Sequence, residues 1–220
     1  MRKLPASGSE PVFTFRPYGT TSGIVSANCY AYVTQYALKS NFKLQPGDLS
    51  QSPSDQRENT NLSTCHPVQQ LVLDDLVKKK TGCATSATKR CPARFAKICL
   101  LLSKNNDFHF LRQNGDIIYK VEPGETRATI ARKFRVPMKN VVAYPKTGIS
   151  MAPGKCVRVI SANVWSHKRG LAFGPDLYDA KGHLIFDPRK ANFDYGDLNY
   201  NKVCSFFCVR QKTCTLANKK

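Results

Sequence analysis

Two short strand-like runs, FHFLRQ (108–113) and VWSHK (164–168), stand on either side of a segment, 117–160, that has a periodicity of its own. This interruption constrains the fold more than any other feature. A strand pair tolerates an insertion at its tip, where backbone is exposed, provided the inserted unit returns its two ends to nearly the same place. The runs are therefore expected to be two arms of one hairpin, carrying His109 and His167 side by side. Residues 116–161 would be looped out between the outer parts, 1–115 and 162–220.

The inserted text reads as strand, helix, helix, strand. Tyr119 and Val121 alternate, Pro123–Gly124 turn, and Thr126 can cap a helix with Ile130, Ala131 and Phe134 on one face. A second short helix is expected from about Pro137 to Tyr144–Pro145. Pro153–Gly154 then leads into a last strand with Val157 and Val159 on one side. The elements YKVEPGET, IARKF, RVP, YP and MAPGKCVRV resemble a LysM module over its whole length. Arg127, where that family usually has an apolar residue, and Tyr144, where Asn is common, depart from the pattern. The resemblance implies binding of N-acetylhexosamine glycans such as peptidoglycan or chitin. It places the sugar groove between Gly124, Glu125 and Thr126 on one side and Pro145, Lys146, Thr147, Gly148 and Ile149 on the other. A LysM fold used only for packing is the alternative.

In the outer sequence, SANCYAYVTQYALKS (26–40) reads as a helix capped by Ser26 or Asn28, with Tyr30, Val33 and Ala37 on one face. A second helix is expected over HPVQQLVLDDLVKKKTG, with Pro67 in its first turn, lysines at its C-terminus and Gly82 beyond. FAKICLLLS (95–103) is a continuous apolar run of strand length, joined by KNND to the His109 strand. PDLYDAKGHLIFDP suggests a hairpin around Lys181–Gly182.

A thiol opening a helix gains from the partial positive charge there, which favours thiolate. A neighbouring histidine can act as its base, and a third polar group can fix that histidine's tautomer. Cys29, His109 and His167 are the candidates for those roles in that order. NCYAY, LQPGD, DFHF and WSHK resemble the motifs of papain-like cell-wall peptidases of the NlpC type and their CHAP relatives. That resemblance implies an α+β papain-like domain in which Cys29 is nucleophile, His109 base and then acid, and His167 the orienting residue. Asn28 and Tyr30 flank Cys29 where the family has Asp and a small residue. A cysteine at the start of an apolar helix also reads as a small buried hydrophobe, and a strand histidine as a structural one.

The expected function is thus a cysteine peptidase or amidase acting on wall-associated substrates and targeted by its glycan-binding module. The alternative is a non-catalytic structural or glycan-binding virion protein of minor-capsid type, with a degenerate papain-like fold. Charge bears on location: 34 basic against 15 acidic residues give +19, which favours polyanionic surroundings. The basic residues are scattered and no specific nucleic-acid motif is present; the resemblance, to modules that occur in bacteria, phages and large DNA viruses, implies acidic virion components as the expected contacts. No apolar run reaches the roughly 18 residues of a membrane span, and no secretory h-region follows the N-terminus. Packaging in a virion is expected, or otherwise an extracellular location reached by a non-classical route. If Cys29 stays free, the other eight of the nine cysteines suffice for four disulfides, though their pairing cannot be read. The spacings in CSFFCVRQKTC lack the paired knuckles of zinc ribbons, so no metal and no cofactor are expected.

Overall fold

The computed structural model describes residues 3–35, 43–51, 60–145 and 148–211. Ala37, Lys146, Thr147 and Cys214 lie outside them. The architecture is α+β, with two antiparallel sheets. Helices α1 (Thr21–Ser26), α2 (Cys29–Thr34) and α3 (His66–Lys78) precede strands β1 (Gly82–Thr85), β2 (Phe95–Ser103) and β3 (Asp107–Asn114). The inserted segment supplies β4 (Ile117–Lys120), α4 (Arg127–Lys133), a 3-10 turn at Met138–Asn140, β5 (Val141–Ala143) and β6 (Cys156–Val159). Strands β7 (Val164–Lys168), β8 (Pro175–Asp176) and β9 (Lys202–Arg210) complete the chain.

The large sheet has the order β1-β9-β2-β3-β7-β8, and β4-β6-β5 form a separate three-stranded sheet. β3 and β7 pair antiparallel, with Leu111 opposite His167 and Asn114 opposite Val164. The two arms expected on either side of the interruption are therefore adjacent strands. The ends of the inserted segment return together, since Ile117 pairs with Val159. Its second helix is only a 3-10 turn, after which Val141–Ala143 become a strand, as two consecutive valines suit a pleated, half-buried position. The core of the insert is not closed on itself. Ile130, Phe134, Val141 and Val157 pack in one buried cluster with Phe13, Leu177 and Phe186 from outside it.

The pleat of the large sheet sorts its side chains between two other cores. Ile98, Leu100, Phe110, Phe207 and Val209 face α2 and α3, while Cys99, Leu101, Leu111, Trp165 and Phe206 face the loops of 185–200. β9 is the strand that unites the sheet, pairing with both β1 and β2. The sequence suggested only a cysteine-bearing tail there. Two disulfides tie it down: Cys65–Cys204 and Cys91–Cys208. Four bridges are not formed among the described residues, because Cys29, Cys83, Cys99 and Cys156 are free. Cys99 is fully buried on a central strand and behaves as a small hydrophobe there.

Candidate functional site

Asn28 sets where α2 begins. Its Oδ1 accepts from Ala31 N (3.0 Å) as an N-cap, and its Nδ2 donates to Leu44 O (2.6 Å), joining the helix start to the loop before Pro46–Asp48. Cys29 is consequently the first residue of the helix. α2 lies on β3 and β7, and a buried polar network holds it there. Tyr32 and Ser166 hydroxyls meet at 2.6 Å, Arg112 donates to Tyr32 Oη (2.9 Å) and to Tyr32 O (3.2 Å), and Asn114 Nδ2 donates to Ser166 Oγ (2.7 Å). The guanidinium of Arg112 also lies 4.2 Å over the Tyr32 ring.

His109 and His167 meet directly, His109 Nε2 to His167 Nδ1 at 2.8 Å. The other nitrogen of His167, Nε2, lies 2.9 Å from Tyr178 O. A carbonyl only accepts, so His167 Nε2 carries a proton, and in the neutral ring Nδ1 is then a bare acceptor. That in turn places the proton of neutral His109 on Nε2 and leaves His109 Nδ1 as a free base. No hydrogen bond among the described residues reaches that atom. Both rings are neutral at physiological pH. Burial, the His167 ring and Arg169 push His109 well below the usual histidine value. Burial likewise lowers His167, against the Tyr178 carbonyl and Asp176, which favour its charged form. Tyr200 covers His109 with ring centroids 5.1 Å apart and donates to Asp107 Oδ2 (2.7 Å).

Cys29 is brought to the same strand but not into hydrogen-bond contact with either histidine. Its side chain belongs to the α2 face of the sheet, whereas the pleat turns His109 and His167 to the other face. The two sides share neighbours nonetheless. The thiol senses Asp107 and the backbone of Phe110, and it acts on Tyr200, the ring that covers His109. Burial, reinforced by Asp107, pushes the thiol up to about 12. The helix-start effect expected from sequence does not win: α2 has six residues, and desolvation of a buried thiolate outweighs its dipole. The resting pair is thus neutral thiol and neutral imidazole rather than an ion pair. Cys29 is 7% exposed, His109 3% and His167 0%, and the two evident cavities, about 500 and 170 Å³, are lined by other residues.

The buried pair predicts an acid limb of stability. A group held below its ordinary value binds fewer protons folded than unfolded, so stability rises with pH in that range and falls on acidification below about pH 6.5. Each ring contributes a slope of up to about 1.4 kcal/mol per pH unit. Urea unfolding of wild type between pH 7 and 5 is expected to show it, and His109→Gln to flatten it. An unchanged slope in the variant would refute the assignment.

In the inserted segment, two of the expected glycan contacts are already engaged. Glu125 Oε1 accepts from Tyr119 Oη (2.9 Å) and faces Lys133 Nζ (3.3 Å), and Oε2 accepts from Glu122 N (3.0 Å). Thr126 forms a reciprocal cap with Thr129. Gly124 and Gly148 keep open space where a Cβ would stand, and Ile149 is exposed. Pro145 follows the half-exposed Tyr144. Arg127 serves in place of an apolar residue by donating Nε to Met138 O (3.1 Å) and Val141 O (2.9 Å), which ties α4 to the 3-10 turn. Among the described residues no group of His, Cys, Asp and Glu is arranged to hold a metal ion. No helix there is long and apolar enough to cross a membrane.

Sequence reasoning missed Asp75. This carboxylate is fully buried and accepts from Tyr30 Oη (2.8 Å), Gly47 N (2.8 Å) and Ser50 N (2.6 Å). It holds the Pro46–Asp48 turn against α2 and α3. Its only signal was an acid within the apolar stripe of α3. No protein-family model, curated protein or solved structure matches the chain.

Proposed function

We propose that the chain is a papain-like cysteine hydrolase, a peptidase or amidase, whose looped-out LysM-like module brings it to N-acetylhexosamine glycans of a wall. The observation that carries this reading is the proton order Tyr178 O, His167, His109, which leaves His109 Nδ1 unprotonated beside the strand on which Cys29 packs. A neutral thiol requires such a base. In the proposed reaction Cys29 Sγ attacks the amide carbonyl and its proton goes to His109 Nδ1. Because the two side chains rest on opposite faces of the sheet, this transfer requires that substrate binding first bring them together. The imidazolium, steadied by His167, then protonates the leaving amine, and water hydrolyses the thioester. The module adds local concentration rather than chemistry. Its open Gly124 and Gly148 backbones and exposed Ile149 offer the kind of surface a sugar ring and acetamido arm use. The charge of +19 suits packaging among acidic virion components.

A second reading, a non-catalytic virion scaffold with a degenerate site, is favoured by the burial of all three side chains and by the position of the cavities elsewhere. The readings part on turnover. Incubation with muropeptides, followed by mass spectrometry, is expected to show cleavage that Cys29→Ala reduces at least about a thousandfold. No cleavage would leave only the scaffold, and equal cleavage by the variant would overturn Cys29 as the nucleophile. Retention on chitin or peptidoglycan beads tests the module separately, and failure on both would end the glycan assignment.

A further inference from the structure

The larger cavity is not lined by Cys29, His109 or His167, although Tyr178, whose carbonyl meets His167, and His183 border it; it lies at the seam between the inserted segment and the loops that follow β8. Its volume, about 500 Å³, is in the range of small-ligand sites. Arg132, Lys133 and Arg135 line it from the insert; Tyr178, Phe186 and Lys190 line it from the other side. Two carboxylates border it, and both are engaged. Asp179 accepts from Lys181 N (3.0 Å), His183 N (2.9 Å) and Asn192 N (3.0 Å). Asp187 is gripped by Arg189 through Nε (3.0 Å) and a terminal nitrogen (2.7 Å). Lys133 faces Glu122 and Glu125. Arg132 and Lys190 have no salt bridge among the described residues. The Arg135 guanidinium lies 4.1 Å over the Phe186 ring, and Lys3 approaches the same ring at 5.6 Å. Burial first, and Arg135 second, hold the Lys3 ammonium down to about 8, and its Nζ donates to Phe134 O (2.9 Å).

We propose that this seam binds an oxyanion of the phosphate or sulfate class carried on a saccharide. Arg132 and Lys190, which have no salt bridge there, face the anion, while the partly buried Tyr178 supplies a ring face for the sugar. One wall is the insert and the other the host, which already share a buried cluster, so occupancy would add to that seam. The site is separate from the thiol chemistry, so Cys29→Ala should bind unchanged.

Calorimetry on the full chain with a sulfated tetrasaccharide, its desulfated form and inorganic phosphate, at physiological salt, tests the proposal. The double variant Arg132→Glu/Lys190→Glu is expected to weaken sulfated-sugar binding at least about tenfold. Lys79→Glu/Lys80→Glu, an equal change in charge at the exposed end of α3, should change it less than about twofold. Equal weakening by both pairs would reduce the effect to net charge and overturn the proposal, as would absence of binding. Desulfated sugar binding as tightly as sulfated would remove the oxyanion. Inorganic phosphate binding as tightly as the sulfated sugar would remove the saccharide.

Discussion

Alkylation of Cys29 in the folded protein is expected to be about a thousandfold slower at pH 9 than in the unfolded chain. An unfolded thiol titrates near 8.5 and is largely thiolate at that pH. In the fold the thiol is held up to about 12, so about one molecule in a thousand is ionised at pH 9. The same shift enters stability. A folded value above the unfolded one means the native state retains the proton, so this contribution is fully present below about pH 8.5 and is lost as pH rises toward about 12. The measurement is peptide-resolved mass spectrometry after timed iodoacetamide, because the exposed Cys83 provides a fast internal standard. Labelling of Cys29 at the rate of Cys83 would contradict a buried neutral thiol. A muropeptide that accelerated the labelling would instead support the proposed hydrolase.

Asp75→Ala is expected to cost about 3–5 kcal/mol of stability, a large part of the 5–15 kcal/mol available to a domain of ordinary stability. The side chain is completely buried, and its loss strands the Tyr30 hydroxyl and the Gly47 amide without water to replace the carboxylate, and frees the partly buried Ser50 amide. Asp75→Asn keeps an acceptor oxygen for one side of the cluster, and about 1–2 kcal/mol is expected there. Urea denaturation compares the three proteins. A change below about 1 kcal/mol in the alanine variant would mean that the turn at Pro46–Asp48 relaxes to meet solvent. Because that turn leans on Tyr30, the residue after Cys29, loss of Asp75 should also speed Cys29 alkylation.

The legibility of this fold follows the range of the forces involved. Helix α3 could be read because its apolar stripe, Pro67 and terminal lysines are local signals. The start of α2 could be narrowed to two caps, and the bond from Asn28 Nδ2 to Leu44 O explains why Asn28 was chosen over Ser26. β9 was obscured because its neighbours β1 and β2 lie about a hundred residues or more earlier, and KVCSFFCVR carries no turn signal that names them. The disulfides were hidden for the same reason, with partners 139 and 117 residues apart. Glu125 and Thr126 show the opposite failure. Their types suit sugar recognition, yet the turn uses both side chains for its own cap and ion pair.

By itself the sequence determined that FHFLRQ and VWSHK are neighbouring arms, since an insert whose ends pair can only leave from one place. It also determined that His109 and His167 travel on those arms, because strand text carries its side chains with it. What those residues are to one another follows from their surroundings in the folded chain. The carbonyl of Tyr178 orders the protons of both imidazoles, and the pleat sends them to one face of the sheet while α2 brings Cys29 to the other. Burial then sets all three groups neutral. Desolvation and proton order depend on what surrounds an atom in space, and neighbours along the chain do not specify that.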